Sequence, residues 1–274
     1  MRFPKSSDAA LNALLQSRFP AAQAAGSVFA LPGSSGQSLR LEWAGVPLVA
    51  RRDIGNLQSG VSLRRHYRAL KRLASGLGPK PYALGNGWLV SEFIRGDVVE
   101  TLADAGELAA LLYTLHQHRR FGWRIQLLPL LMSYWQQSDP ARRTPLWLRT
   151  LQRLRAQGEP RPLRLAPLHM DLHAGNMVRS AGQLRLIDWE YAGDGDVALE
   201  IAAASLDEHQ RQTLIGDYAQ RAALDARQLG LQVARWRPWT MVLMAGWYER
   251  HFWQTRDSQF ITLANDAWNR LKNN

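Results

Sequence analysis

The 274-residue chain predicts an α+β fold of two lobes, a small β-sheet N-lobe and a mostly helical C-lobe. Two observations carry that expectation. Up to Ile94, short apolar runs alternate and are broken by Gly and Pro turns, the period-2 signature of strands. From Leu102 the apolar spacing becomes three and four, the period of helices packed on one another. The change of period falls between Ile94 and Leu102.

The elements follow in order. Asp8 can cap a helix reaching Phe19, with Leu11, Leu14, Leu15 and Phe19 as its apolar stripe. Strands are expected near Val28–Leu31, Ser38–Trp43 and Pro47–Arg51, the first two parted by Pro32-Gly33-Ser34-Ser35-Gly36. Val61–Ala74 has helical spacing, with Leu63, Tyr67, Leu70 and Leu73 on one face. Pro79–Tyr82 is an extended link, and Gly85-Asn86-Gly87 is a tight hairpin turn into a strand over Trp88–Ile94. Arg95-Gly96-Asp97 follows that strand. Leu108, Leu111, Leu112 and Leu115 stripe a helix that ends near His116. Further helices are expected over Leu127–Gln137, Leu146–Leu154, Val197–Leu206, Glu208–Ala222, Pro238–Trp253 and Ser258–Lys272. Ser180-Ala181-Gly182 makes a turn, and Leu184–Ile187 a short buried strand.

Composition narrows the classes of function. An apolar fraction of 46% with 11 Trp belongs to a folded chain. The absence of cysteine excludes a disulfide framework and thiolate metal sites and suits a reducing compartment. No apolar run approaches the roughly 18 residues of a membrane span, and Met1–Phe19 lacks the apolar core of a signal peptide. The cytoplasm is the expected location. A net charge of +11 could draw in nucleic acid, acidic membrane or a polyanionic nucleotide. The Arg residues are dispersed and no zinc-finger or RNP-like pattern accompanies them, so no specific nucleic-acid partner and no membrane partner are expected.

The chemistry concentrates between Leu168 and Tyr191. Asp171 and Asn176 stand five positions apart, the Asp-to-Asn spacing of a phosphotransfer loop. In such a loop the Asp takes the proton of the acceptor hydroxyl and the Asn holds Mg²⁺. The apolar strand before Asp188 delivers a second acidic residue, suited to the metal by its hard oxygens. Asp171 is therefore the candidate base, with His169 orienting the loop, and Asn176 and Asp188 are the candidate metal ligands. A zinc site of His169, Asp171 and His173 is the rival reading. It names no further ligand and leaves Asn176 and Asp188 idle.

HMDLHAGNMV followed by LIDWEYAGDGD resembles the H-x-D-L-H-x-x-N and I-D-W-E-x-A signatures of the choline kinase and aminoglycoside phosphotransferase family, itself protein-kinase-like. The resemblance extends through LLPLLMSYWQQSDPARRT and covers nearly the whole chain. It implies a small-molecule kinase with ATP as phosphoryl donor and Mg²⁺ as cofactor. Residues 1–94 would be the nucleotide lobe, and 95–274 would carry the catalytic loop and acceptor site. The glycine turn Gly33, Ser34, Ser35 and Gly36 would close over phosphates, and Arg51 would fork onto them. Glu92, Phe93 and Ile94 would meet adenine. One departure is plain: no Asp or Glu lies between Asp53 and Glu92, so the helix over 61–74 offers no acid to orient Arg51, and His66 or a residue from elsewhere must do so, or nothing does.

Six of the 11 Trp follow Asp188. The resemblance implies thiamine as acceptor, a cationic aromatic alcohol that aromatic faces and carboxylates would hold. The residues proposed for it are Trp189, Glu190, Tyr191, Glu200 and Trp247. A choline or other amino-alcohol kinase, an aminoglycoside phosphotransferase and a nucleotide-binding pseudokinase are the alternatives.

Overall fold

A computed structural model describes residues 5–18, 28–30, 38–43, 45–53 and 62–272. The glycine turn Gly33–Gly36 lies outside the described residues. The first elements are α1 (Lys5–Arg18), β1 (Val28–Ala30), β2 (Ser38–Trp43), β3 (Val46–Arg52), α2 (Leu63–Arg72), β4 (Pro81–Gly85) and β5 (Trp88–Glu92). There follow β6 (Asp97–Val98), α3 (Ala105–His116), α4 (Leu127–Gln136), α5 (Pro145–Gln157) and β7 (Leu165–Leu168). The chain continues through β8 (Met177–Ser180), β9 (Gln183–Leu186), β10 (Gly193–Asp196), α6 (Val197–Ala203), α7 (Glu208–Ala222), α8 (Ala226–Thr255) and α9 (Gln259–Lys272). These elements group into two compact units. One takes in the described residues within Met1–Leu57, Val61–Thr101 and Ala174–Ala192, the other those within Leu102–His173 and Gly193–Asn274.

The first unit is built on an antiparallel five-stranded sheet in the order β1-β2-β3-β5-β4. In β2 the alternation buries Leu39, Leu41 and Trp43 and exposes Arg40 and Glu42. Leu11, Leu14 and Leu15 of α1 pack on those residues together with Leu48, Ala50, Ala83, Trp88 and Val90. A 14-residue helix is marginal alone. Each buried leucine contributes about 1.5–3 kcal/mol, so the sheet is what stabilises α1. Asn86 and Gly87 join β4 to β5 with φ of 51° and 77°, the paired positive values that an Asn-Gly hairpin turn adopts. The inner face of α2 is Leu63, His66, Ala69 and Leu70, turned from the expected Leu63/Tyr67/Leu70/Leu73 face, and Leu73 already leaves the helix in extended backbone.

A second sheet in this unit runs β6-β8-β9. Ala181 and Gly182, again with positive φ, close the β8–β9 hairpin in register Ser180–Gln183 to Met177–Leu186. This hairpin carries Asn176 at its entry and Asp188 just past its exit.

The other unit is helical. Leu108, Leu111, Leu112 and Leu115 of α3 are buried, as their spacing requires, and so is His116 at its end. The sequence placed a helix start at Pro238, but α8 begins at Ala226 and runs through it. Asp225 caps the true start by accepting from the Gln228 amide at 2.6 Å. The antiparallel pair β7–β10 is a further difference, since Gly193-Asp194-Gly195-Asp196 has no strand propensity. Its glycines allow close packing: a Cβ on Gly195 would stand 2.6 Å from the Leu168 side chain, which would have to shift. Its buried aspartates find donors. Asp194 accepts the Phe121 and Gly122 amides at 2.6 and 2.7 Å, and Asp196 accepts Gln232 Nε2 and Trp236 Nε1 at 2.7 and 2.9 Å.

Candidate active site

In the sheet unit, the Ile187 amide donates to the Asn176 carbonyl at 2.9 Å, just beyond the last hairpin pair Met177–Leu186. That bond holds Asn176 and the residue before Asp188 together at the open end of the hairpin. Asn176 is buried at the end of a single helical turn, Ala174–Asn176. Asp188 sits in the left-handed region, φ 64° and ψ 66°, a conformation that costs a non-glycine residue on the order of 1 kcal/mol or more. The kink swings the chain out of the strand into a second short turn, Trp189–Tyr191.

Trp189 locks that turn. It is fully buried, its indole N–H donates to the Leu186 carbonyl at 2.9 Å, and its ring covers Gly78, where a Cβ would meet the indole nitrogen at 2.8 Å. The expectation that Trp189 meets the acceptor is therefore corrected: it is core. Glu190 is also differently placed. Arg51, at the end of β3, donates to Asp188 through Nη1 and to Glu190 through Nη2. Burial works against the guanidinium charge, but the two carboxylates, with Tyr191 near enough to add to them, raise its pKa above the ordinary value. His66 is buried on α2, yet the acids on Arg51 come from the segment after β9.

Glu92 is likewise engaged within the protein. Its oxygens accept from Arg185 at 3.1 and 3.0 Å and from the Lys80 amide at 2.9 Å. Burial alone would raise its pKa; the Arg185 and Lys80 hydrogen bonds prevail and lower it. The Glu92 and Phe93 amides donate to the Lys80 and Pro47 carbonyls at 2.8 and 3.1 Å, and Arg40 lies 4.2 Å over the Phe93 ring. Ile94 is buried at the end of this segment.

In the helical unit, the loop after β7 is fixed from beneath by Glu200 of α6. Glu200 has no exposed surface. Its Oε2 accepts the His169 amide at 2.8 Å and its Oε1 the Met170 amide at 2.7 Å. His116 Nε2 lies 3.4 Å from Oε2, and the other ring nitrogen of His116 is 2.7 Å from the Tyr218 hydroxyl. Burial pushes the Tyr218 phenol well above its usual range. Glu200 thus anchors the loop and does not face an acceptor, which corrects that expectation. His169, fully buried, accepts the Asp171 amide on Nδ1 at 3.2 Å. Met170 has φ 69°, so the loop is bent sharply where Glu200 grips it. The Asp171 side chain is 34% exposed, with His173 Nε2 3.7 Å from its Oδ2. The loop thus combines a buried acid that holds its backbone with a carboxylate about a third exposed.

Trp247 stands in an aromatic group in this same unit. It stacks on His251 at 4.2 Å and 20°, and meets Tyr248 and Phe260 edge-on at 5.5 and 5.8 Å. All four are half-buried. Burial raises the Tyr248 phenol pKa, Arg270 opposes, and the charge of Asp171 adds to the rise. Tyr248 therefore stands within electrostatic reach of Asp171.

The sequence assigned no role to His116, Tyr218, His251 or Phe260. A signal existed only for His116, a polar residue closing the leucine stripe of α3. As metal donors, Asn176 and Asp188 offer one amide and one carboxylate oxygen. Among the described residues no group of three His, Cys, Asp or Glu is placed to hold a metal. Two hard oxygens fit Mg²⁺, which keeps waters and phosphate oxygens in its shell; they do not fit zinc, which takes three or four protein ligands.

Residues 31–237 match the model of the phosphotransferase enzyme family. The chain is 53% identical over 240 residues to a thiamine kinase of Escherichia coli, covering 87% of this chain and 88% of that protein. The same identity and coverage relate it to a thiamine kinase of Shigella boydii. Among solved structures it resembles choline kinase LicA from Streptococcus pneumoniae, with a TM-score of 0.75 over 98% of this chain and 100% of that one, at 17% identity.

Proposed function

The chain belongs to the phosphotransferase enzyme family, and from that premise we propose that it transfers the γ-phosphate of ATP to the hydroxyl of thiamine, giving thiamine monophosphate. The observation that carries the acceptor is the 53% identity to thiamine kinases along 87% of the chain. The fold is the two-lobed, protein-kinase-like α+β fold of choline kinase.

Phosphoryl transfer asks the protein for positioning and charge more than for covalent chemistry. Asp171 accepts the hydroxyl proton as the oxygen attacks. Its amide is held by His169, and the loop before it by Glu200. Asn176 and Asp188 would hold Mg²⁺, which neutralises phosphate charge when bound. Arg51 forks onto phosphate oxygens, and the segment ending at Ile94 takes the adenine. The glycine turn Gly33–Gly36 retains its proposed phosphate contact, and Tyr191 its proposed place beside the acceptor. Trp247 and its neighbouring rings offer apolar faces to a cationic aromatic acceptor. Residues 1–94 form the nucleotide lobe in this reading, and 95–274 carry the catalytic loop and the acceptor site. The cytoplasm, where ATP is made available, is the proposed compartment; no helix among the described residues is long and apolar enough to cross a membrane.

The test is product formation by the purified chain with Mg²⁺ and ATP, offered thiamine, choline or an aminoglycoside in turn. Thiamine monophosphate and ADP in equal amounts are expected. Faster turnover of choline or the aminoglycoside, with thiamine inert, contradicts the acceptor and leaves the phosphotransferase standing.

A further inference from the structure

Arg51 has a problem of orientation that the sequence poses and the structure answers. A guanidinium at a phosphate site must be aimed before the ligand arrives, because a flexible cation loses rotamer entropy on binding. No acid lies between Asp53 and Glu92, and α2 has no acidic residue in its first turn and buries Leu63, His66, Ala69 and Leu70. The acids on Arg51 come instead from the residues after β9: Asp188 on Nη1 and Glu190 on Nη2.

The two acids are not equivalent. The Asp188 side chain is 30% exposed and that of Glu190 16%, against 11% for Arg51. Asp188, the more open, is the metal candidate. A divalent cation on its carboxylate would weaken its hold on Arg51 and place positive charge near the guanidinium. Glu190 lies in a firmly set backbone. The buried Trp189 beside it is hydrogen-bonded to Leu186 and packs over Gly78, and the Ala192 amide closes the turn onto the Trp189 carbonyl at 3.3 Å.

We propose that Glu190 is the positioning residue for Arg51: it supplies the acid that α2 lacks, and it keeps the guanidinium aimed at nucleotide phosphate when Asp188 turns to the metal. This rests on the phosphotransferase reading and moves Glu190 from the acceptor to the nucleotide.

The experiment compares wild type with Glu190→Gln, Glu190→Asp and Arg51→Ala. ATP binding is measured by calorimetry with Mg²⁺ and in EDTA, beside KM values for ATP and thiamine. Thermal melting confirms that each variant is folded. Glu190→Gln should weaken Mg²⁺-ATP binding by about tenfold, roughly the loss of one charge-assisted hydrogen bond. The loss should be smaller in EDTA, where Asp188 still holds Arg51, and thiamine KM should not move. Glu190→Asp should recover part of the binding. In the Arg51→Ala background, Glu190→Gln should add nothing. A raised thiamine KM with ATP binding unchanged would overturn the proposal and return Glu190 to the acceptor. Additive losses with Arg51→Ala would overturn it too. Wild type that binds no ATP contradicts the phosphotransferase reading itself, whereas normal wild-type binding matched by Glu190→Gln contradicts this inference alone.

Discussion

Glu200 has no exposed surface, and a carboxylate there is tolerable only because its oxygens meet the His169 and Met170 amides and the His116 ring. Glu200→Gln keeps the shape but presents an NH₂ group where an acceptor is needed, leaving one buried amide unsatisfied at a cost of about 1–3 kcal/mol. If that cost falls on the positioning of Asp171, kcat should drop roughly ten- to a hundredfold while ATP affinity is unchanged. Lower thermal stability with normal kcat in the folded protein would make Glu200 purely structural. Asp171, Asn176 and Asp188 were legible in the sequence as candidates because their spacing is local. The roles of Trp189, Glu190 and Glu200 were not, since adjacency along the chain does not say whether a side chain turns to the core, to a cation or to an acceptor.

At the scale of elements, strands and leucine-striped helices were legible because burial imposes their period, and the Asn-Gly turn because only positive φ closes it. α8 was misjudged because Pro238 reads as a helix start, while Val233, Trp236, Trp239 and Val242, buried on either side of it, carry the helix through. β10 was illegible because its glycines answer to packing partners distant in sequence. One backbone approach makes an element-level prediction. Gly96 has φ 150°, and a Cβ there would lie 2.2 Å from the Arg179 carbonyl oxygen. Gly96→Ala should force β6 off β8 and destabilise the fold by several kcal/mol on the order of an overpacked core site; an unchanged urea midpoint would refute that packing. The α8–α9 aromatic group gives a pH prediction. Burial, and then Arg250, lower the His251 pKa from 6.5, with Asp257 opposing. The unfolded chain therefore takes the proton first. Stability from neutral His251 is whole above about pH 6.5 and declines as pH falls through the lower folded value. His251→Phe should flatten the fall of Tm between neutral and mildly acid pH; two parallel curves would contradict it.

Across the whole molecule, the fold persists at 17% identity to choline kinase LicA, so few residues dictate it and pattern suffices to read it. The acceptor is a finer property, set by side chains the pattern does not order. The excess of cations, +11, agrees with a protein that handles a polyanionic nucleotide. The central proposal is that Asp171 acts as the base in transfer from ATP to thiamine. The direct test is kcat and ATP Kd measured on the same sample of Asp171→Asn, with circular dichroism to confirm the fold. The substitution keeps the shape and removes the basic oxygen, so kcat should fall by about 10²–10⁴-fold with ATP Kd nearly unchanged. A near-normal kcat, or a loss confined to KM, would contradict it.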